Sequence, residues 1–311
     1  MRRYRRLLLL CLLPVVPAAT TPIRSARAAH DVITIATWNM EWLVDAKTAH
    51  AARLACRSGQ RAALPCDVAR QLARDSADLA RIASYAAELD ADIVAFQEVE
   101  SAAIARRIFH GYSICMADGA GVQHVGFAVR DGVAHVCGPM VTELSLNGRS
   151  RSAMSMRLTP VGSASIEMLV VHLKSGCSRD PLDAGPAACR MLAQQAQRLG
   201  DWIAQRAASG APFIVLGDFN RVESLPEQDL FWRLLHADAF GMLAARLPFT
   251  NCYLGQPYSQ FIDHVLFSNQ LLKRLDPASA GRVGFRNADA SRYRLSDHCP
   301  VRVSLKLAAS P

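Results

Sequence analysis

Nine residues, FIVLGDFNR from Phe213 to Arg221, restrict the fold more than any other stretch of the chain. A run of four apolar residues ends on Gly217, and an acid, Asp218, and an amide, Asn220, follow at once. An unbroken apolar strand needs cover on both faces, the situation of a central strand in a layered α/β fold. Polar groups just past the carboxyl end of such a strand lie where open α/β folds place their chemistry. Gly, Asp and Asn are also the commonest turn formers. Taken alone, the stretch fits a functional strand end and an ordinary turn equally well.

The same pattern recurs along the chain. Ile33 to Thr37 reads as a strand that runs into Asn39 within TWNMEWL, and residues 92–96 of ADIVAFQEVE read as a strand ending in Gln97 and Glu98. SIEMLVVHL, 165–173, ends in His172 and Lys174; QFIDHVLFS, 260–268, carries Asp263 and His264; LSDHCPVRVSL, 295–305, is a turn with Asp297 and His298 before a last strand. Between these, a polar, cysteine-bearing loop is expected over 45–66. A helix is expected from an Asp67 N-cap, with apolar residues at Val68, Leu72, Leu79, Ile82, Ala86 and Leu89. A short helix is predicted over 101–109, antiparallel strands with Gly-rich turns over 112–158, a second long helix through Leu192, Ala196, Leu199 and Ile203, and a helix over 226–235. No linker divides the pattern and no 20-to-50-residue repeat is visible, so one domain over 29–311 is expected.

Residues 1–28 read as a secretory signal peptide: a basic start, MRRYRR, an apolar middle from Leu7 to Ala19, and Ala26-Arg27-Ala28 as an A-x-A-like cleavage site. The apolar middle, interrupted by Pro14 and Pro17, is too short to span a bilayer, so no membrane anchor is expected after its removal. The protein would then be periplasmic or secreted. Six of the 35 basic residues and none of the 27 acids lie in this leader, leaving 29 bases against 27 acids. The basic balance that would favour nucleic acid therefore belongs mostly to the leader, and net charge decides nothing about the substrate. Beyond Cys11 the chain holds eight cysteines, an even number that favours disulfides in an oxidising compartment. The close pairs Cys56/Cys66, Cys115/Cys137 and Cys177/Cys189 would each close a local loop, leaving Cys252 and Cys299. Spacing alone leaves the connectivity open.

Asn39, Glu98, His172, Asp218 with Asn220, Asp263 with His264, and Asp297 with His298 thus all fall at strand ends. Burying apolar strands does not require this. Carboxylate and amide oxygens are ligands for Mg²⁺ or Mn²⁺, and a carboxylate fixes the tautomer of a neighbouring histidine and makes it a better base. Together these groups suit hydrolysis of a phosphoester by water.

In this order, TWNMEWL, QEVE, VVHLKS, LGDFNR, FIDHVL and LSDHCPV resemble the signatures of the endonuclease/exonuclease/phosphatase superfamily, also called deoxyribonuclease-I-like, across residues 33–305. The resemblance implies a four-layered α/β sandwich, two mixed β-sheets packed face to face with helices outside. It implies that Glu98 ligates a divalent cation, Mg²⁺ or Mn²⁺, assisted by Asn39 and Asp297. Asp218 would orient or deprotonate the attacking water, and Asn220 would bind the phosphate. His298, held by Asp263, would act as general base or phosphate-stabilising cation, with His172 as acid or transition-state donor on the other side. Lys174 is added from its position as a phosphate-binding cation. Arg149 or Arg151 could serve likewise, although an exposed arginine is more often an ordinary surface residue.

Phe261-Ile262-Asp263-His264 departs from the Trp-Cys-Asp-Arg of inositol-polyphosphate phosphatases. No exposed aromatic hairpin of the sphingomyelinase kind is visible, nor is the Trp-x-Leu-Asp-Tyr stretch of abasic-site endonucleases. The expectation is a monomeric, secreted nuclease acting on a phosphodiester, with a lipid or small-molecule phosphatase, or a catalytically silent binding module, as alternatives.

Overall fold

The computed structural model describes residues 31–71, 73–116, 121–224, 228–242, 250–256 and 260–307. The leader and Cys11 lie outside them. Each apolar run forms a strand whose alternate side chains enter different layers. In β1 (Val32–Leu43) and β2 (Ile93–Val99), Ile35, Ile93 and Ala95 face one buried cluster while Ala36, Val94 and Phe96 face another. β7 (Ile166–His172) and β8 (Phe213–Asp218) do the same: Met168, Val170, Ile214 and Leu216 point inward, and Leu169, Val171 and Val215 point outward.

The remaining strands are β3 (Tyr112–Met116), β4 (His124–Arg130), β5 (His135–Val141), β6 (Ala153–Leu158), β9 (Phe240–Met242), β10 (Asp263–Ser268), β11 (Leu275–Arg282) and β12 (Val301–Lys306). They complete two six-stranded mixed sheets, in the orders β11-β12-β1-β2-β4-β3 and β5-β6-β7-β8-β10-β9. Each sheet has a single parallel pair at its centre, β1 with β2 and β7 with β8, and antiparallel neighbours elsewhere. The two sheets therefore share one topology, a duplication that no sequence repeat announced. Their inner faces make the central core. One outer face is covered by α3 (Ser76–Leu89) and α4 (Ala102–Ile108), the other by α5 (Ala187–Ser209) and α6 (Leu230–Leu234). This is the expected four-layered sandwich.

Several local expectations are corrected. Residues 45–66 are not a loop: α1 (Ala46–Arg57) occupies most of them, with the Asp45 side chain accepting from the Lys47 amide at its start. Its mostly polar surface hid the small buried face of Ala49 and Ala52. The helix expected from Asp67 to Leu89 is two helices. α2 (Cys66–Gln71) already contains Asp67, and α3 restarts at Asp75, which forms a capping box with Asp78. The helix expected over 226–235 is shortened to α6, capped by Asp229; residues 225–227 lie outside the described residues.

The cysteines pair as Cys56–Cys66, Cys115–Cys137, Cys177–Cys189 and Cys252–Cys299. Cys115 lies on β3 and Cys137 on β5, so that bond ties one sheet to the other. Among the described residues, no helix is long and apolar enough to cross a membrane.

Candidate active site

Two parallel pairs, one per sheet, bring four strand ends to the same rim of the sandwich. In register, Asn39 lies opposite Gln97, His172 opposite Asp218, and Asp218 opposite Asp263. An antiparallel neighbour begins where its partner ends. Asp263 at the start of β10 and the Asp297–His298 turn before β12 therefore reach the rim that β8 and β1 reach at their finish. The backbone bends to aim these groups. β1 is irregular between Asn39 and Leu43, and β2 between Phe96 and Val99; Glu41, Trp42, Glu98 and Asn220 all have positive φ, from 45° to 61°. Such strain in non-glycine residues is typical of functional sites. At Gly217, with φ of 145°, a Cβ would lie 2.0 Å from the Val171 carbonyl oxygen, so only glycine fits before Asp218.

The inner part of the site is dry. Asn39, His172, Asp218, Asp263 and His298 are all buried. The Asn39 amide nitrogen donates to Asp218 Oδ2 at 3.0 Å and to Glu98 Oε1 at 3.3 Å, while its oxygen accepts from the Glu41 amide at 2.9 Å. Asn39 thus joins the two sheets and orients both carboxylates, with its oxygen already committed to the backbone. The other oxygen of Asp218 accepts from the Asn220 amide at 2.8 Å, and Asn220 Nδ2 donates to the Leu173 carbonyl at 3.1 Å. His172 Nε2 sits 3.5 Å from Glu98 Oε1 and 3.6 Å from Asp218 Oδ2. His298 Nδ1 is bonded to Asp263 Oδ2 at 2.7 Å. The His298 turn is fastened to β1 by Ser296, which donates to the Asn39 carbonyl, and by Trp38, whose indole donates to the His298 carbonyl.

The outer part is wetter. Glu41, Glu98 and Asp297 have side chains 21%, 12% and 25% exposed. The Asp297 amide donates to Glu41 Oε2 at 3.0 Å, and the Trp42 amide to Glu98 Oε2 at 3.0 Å. Beneath them Arg74, buried in the α2–α3 break, donates to the carbonyls of Glu41, Trp42, Arg294 and Leu295 and pairs with Glu41 at 3.6 Å.

Proton affinities follow this geometry. Burial pushes the Asp218 carboxyl up to about 7, opposed by the His298 cation and reinforced by Asp263. Burial, then the charge of Asp297, pushes Glu41 up to about 7 against the pull of Arg74. Burial works to strip His298 of its proton, but the charge of Asp263 and their hydrogen bond outweigh it and raise it to about 10. His172 moves the other way: burial, with Arg151 and His298 adding to it, holds it neutral well below the usual histidine range. One rim thus carries a base poised near neutrality, a fixed imidazolium and a neutral imidazole.

Two donor sets at this rim are candidates for a cation. Asp218, Asp263 and His298 offer atoms within 4.8 Å of one another, but His298 is bound to Asp263 and holds a proton against a metal. The mutually repelling Glu41, Glu98 and Asp297 are hard oxygen donors open to water, and they fit a divalent cation that keeps part of its hydration.

The eight residues given roles from the sequence, Asn39, Glu98, His172, Asp218, Asn220, Asp263, Asp297 and His298, come to this rim, with Lys174 at its edge. The Lys174 amide donates to Gln195 and its ammonium turns onto the Ser175 carbonyl. Three contributors escaped the sequence reading. Glu41 stood inside TWNMEWL, two residues past Asn39, as the one signal that was present. Arg74 gave none. Arg151 is not an ordinary surface arginine: it is largely withdrawn from water and donates to the carbonyls of His172 and Leu173 and to Gln123. His264 is structural, a neutral ring held to about 4 by burial, whose Nε2 donates to the Arg221 carbonyl.

Hard-oxygen donors at the mouth and a buried acid–imidazole network behind them define a metal-dependent phosphoester hydrolase on a two-sheet α/β sandwich. The chain belongs to the endonuclease/exonuclease/phosphatase family, whose profile matches residues 36–298. Among solved structures it is similar to a 3'-5' exonuclease (NExo) from Neisseria meningitidis, with 15% identity over 88% of this chain and 100% of that one and a TM-score of 0.57. It is also similar to D. rerio TDP2 complexed with a single-strand DNA product, with 17% identity over 88% and 98% and a TM-score of 0.55. The human nocturnin catalytic domain with bound sulfate gives 15% identity over 89% and 95% and a TM-score of 0.56. Among curated proteins, none matches the chain significantly.

Proposed function

We propose that the protein is an exported nuclease that hydrolyses phosphodiester bonds of nucleic acid with Mg²⁺ or Mn²⁺. The observation that carries this reading is the setting of Asp218. It is buried, fixed through both oxygens by Asn39 and the Asn220 amide, raised to about 7, and within the field of the His298 cation. A general base works best with a pKa near the operating pH. Asp218 holds the attacking water and takes its proton. His298, kept protonated by Asp263, offers Nε2–H to a phosphoryl oxygen as negative charge builds there. Neutral His172 donates through Nε2 from the opposite side, and Asn220 and Lys174 bind the phosphate. Glu98 and Asp297, with Glu41, would hold the cation, which would supply neutralisation of the negative charge on the phosphate.

Nucleic acid is favoured over lipid by the likeness to TDP2 with its DNA product. Export is supported by the leader-like residues 1–28 and the four disulfides. The remaining 29–311 is read as one domain and as a monomer.

The test is supercoiled plasmid incubated with purified protein, Mg²⁺ or Mn²⁺, with and without EDTA. Nicking that EDTA abolishes is the expected result; activity undiminished by EDTA overturns the cation assignment. A protein that spares plasmid and RNA but hydrolyses a chromogenic monoester faster than a diester is a small-molecule phosphatase instead.

A further inference from the structure

Residues 46–66 hold Lys47, Arg53, Arg57 and Arg61 and no acid. Residues 29–311 carry 29 bases against 27 acids, and without these four the balance is 25 against 27. The small positive excess beyond the leader is therefore gathered in one segment.

That segment rises from the catalytic rim. At its start the Asp45 amide and the Thr48 hydroxyl both donate to the Glu100 carboxylate, two residues past Glu98. At its far end Arg74, beyond α2, donates to the carbonyls of Glu41 and Trp42 and pairs with Glu41. Between these footings the Cys56–Cys66 disulfide staples α1 to α2, and Ala49, Ala52, Leu64 and Ala69 pack with Val44 and Val122. The basic segment is thus a braced projection beside the carboxylate ring.

The buried face of α1 is Ala49 and Ala52. Lys47, His50, Leu54 and Arg57, at helical spacing, form an exposed stripe on the other side. Half-buried Arg53 flanks the stripe, and exposed Arg61 lies in the turn after the helix. Among the described residues, none of the four cations has a side-chain hydrogen bond or an ion pair. Arg81, Arg130, Arg221 and Arg286, by contrast, are each spent on a carboxylate. From Lys47 to Arg57 the stripe runs about 15 Å, the rise of about four base pairs in a duplex. A row of unspent cations of that length matches a polyanion with regularly spaced charges, and a small phosphodiester held at the rim is too short to use it. A membrane surface matches less well, because a helix lying in lipid needs a broad apolar face and this stripe offers only Leu54. We propose that α1 and the turn after it bind backbone phosphates of a nucleic acid strand outside the scissile bond, through Lys47, Arg53, Arg57 and Arg61. The surface contributes affinity for long substrates and takes no part in bond cleavage. This rests on the nuclease reading above.

The experiment combines Lys47→Gln, Arg53→Gln, Arg57→Gln and Arg61→Gln in one protein. Kinetics are measured on a single strand of about 30 nucleotides and on bis(p-nitrophenyl) phosphate, between about 50 and 200 mM salt. KM on the strand is expected to rise about tenfold or more at the low-salt end, with kcat held and the small diester unaffected. The slope of log kcat/KM against log salt becomes shallower by about 3, because each single-strand phosphate contact contributes about 0.7. Lys47→Glu with Arg57→Glu, confined to the exposed stripe, raises the strand KM in the same way without lowering the melting temperature. An unchanged strand KM and salt slope in both variants, or equal losses on strand and small diester, overturns the surface. So does wild-type binding to phosphatidylserine vesicles that the variants lose while their strand kinetics stay the same, which would make α1 a membrane contact. If wild-type protein hydrolyses the small diester but no nucleic acid, the nuclease reading falls and the surface with it. If wild-type protein cleaves the strand and the variants match it, the surface alone falls.

Discussion

Nδ1 of His298 lies 2.7 Å from Oδ2 of Asp263, a bond between the turn before β12 and the first residue of β10. It joins one sheet to the other at the catalytic rim and holds His298 protonated, at about 10. Asp263→Asn removes that charge and lets burial expel the proton. The expected outcome is a loss of about 100-fold or more in kcat, with the alkaline limb of the pH–rate profile moved to lower pH. A histidine raised in the folded state stabilises the fold below its unfolded value of 6.5, and that stability is lost as pH rises through about 10. Thermal melts of the wild type and Asp263→Asn should therefore differ most near pH 6 and converge toward pH 10.

Asp218 presents the opposite linkage. Its carboxyl is raised from 3.8 to about 7, so the cation-free fold binds this proton more tightly than the unfolded chain and loses stability as pH rises between those values. Asp218→Asn does not suffer that loss. In chelator at pH 8 it should melt at or above the wild-type temperature while losing about 100-fold or more of the activity. A variant that unfolds, or one that stays active, contradicts the role of Asp218.

Cation binding should be measurable without turnover. A ligand at about 100 times its Kd stabilises a fold by about 2.7 kcal/mol. Mn²⁺ is therefore expected to raise the melting temperature of the wild type and to relieve the repulsion among Glu41, Glu98 and Asp297. Glu98→Gln and Glu41→Gln should each abolish most of that rise. If Mn²⁺ stabilises both variants as it does the wild type, the cation is held elsewhere.

Arg74 supports the carboxylate ring from below, through four carbonyls and Glu41. Arg74→Met keeps much of the stem but orphans those acceptors and leaves Glu41 without its counter-charge. A destabilisation of about 3–5 kcal/mol is expected in urea unfolding, and Arg74→Lys should not restore it, because one ammonium cannot reach acceptors spread around a planar fork. A loss under 1 kcal/mol in Arg74→Met would show the buried fork to be dispensable.

The strands and the acids and histidines at their ends were legible because both depend on local pattern. An unbroken apolar run such as Phe213–Leu216 has to be covered on both faces, and the polar residue after it has to sit at the strand's end. Helix α1 was missed because its buried face is only Ala49 and Ala52, too small to leave a periodic apolar signal. The α2–α3 break was missed because Val68 and Leu79 keep a helical spacing across Asp75, where the cap is a hydrogen-bonding event that hydrophobicity does not record. Arg74 and Arg151 were missed because an arginine reads as a surface residue until the fold shows which carbonyls it reaches.

Local pattern along the chain sets the layered α/β class, the six polar strand ends and their order, because strand burial and strand termination are encoded within a few residues. The tertiary structure decided what those ends do together. Asn39 meets Asp218 across 179 residues, and Cys115 meets Cys137 between two sheets. The raised Asp218, the protonated His298 and the neutral His172 arise only when facing sheets exclude water around charges drawn from distant parts of the chain. A proton's affinity depends on solvent and neighbouring charge in three dimensions, and the order of residues along a chain specifies neither.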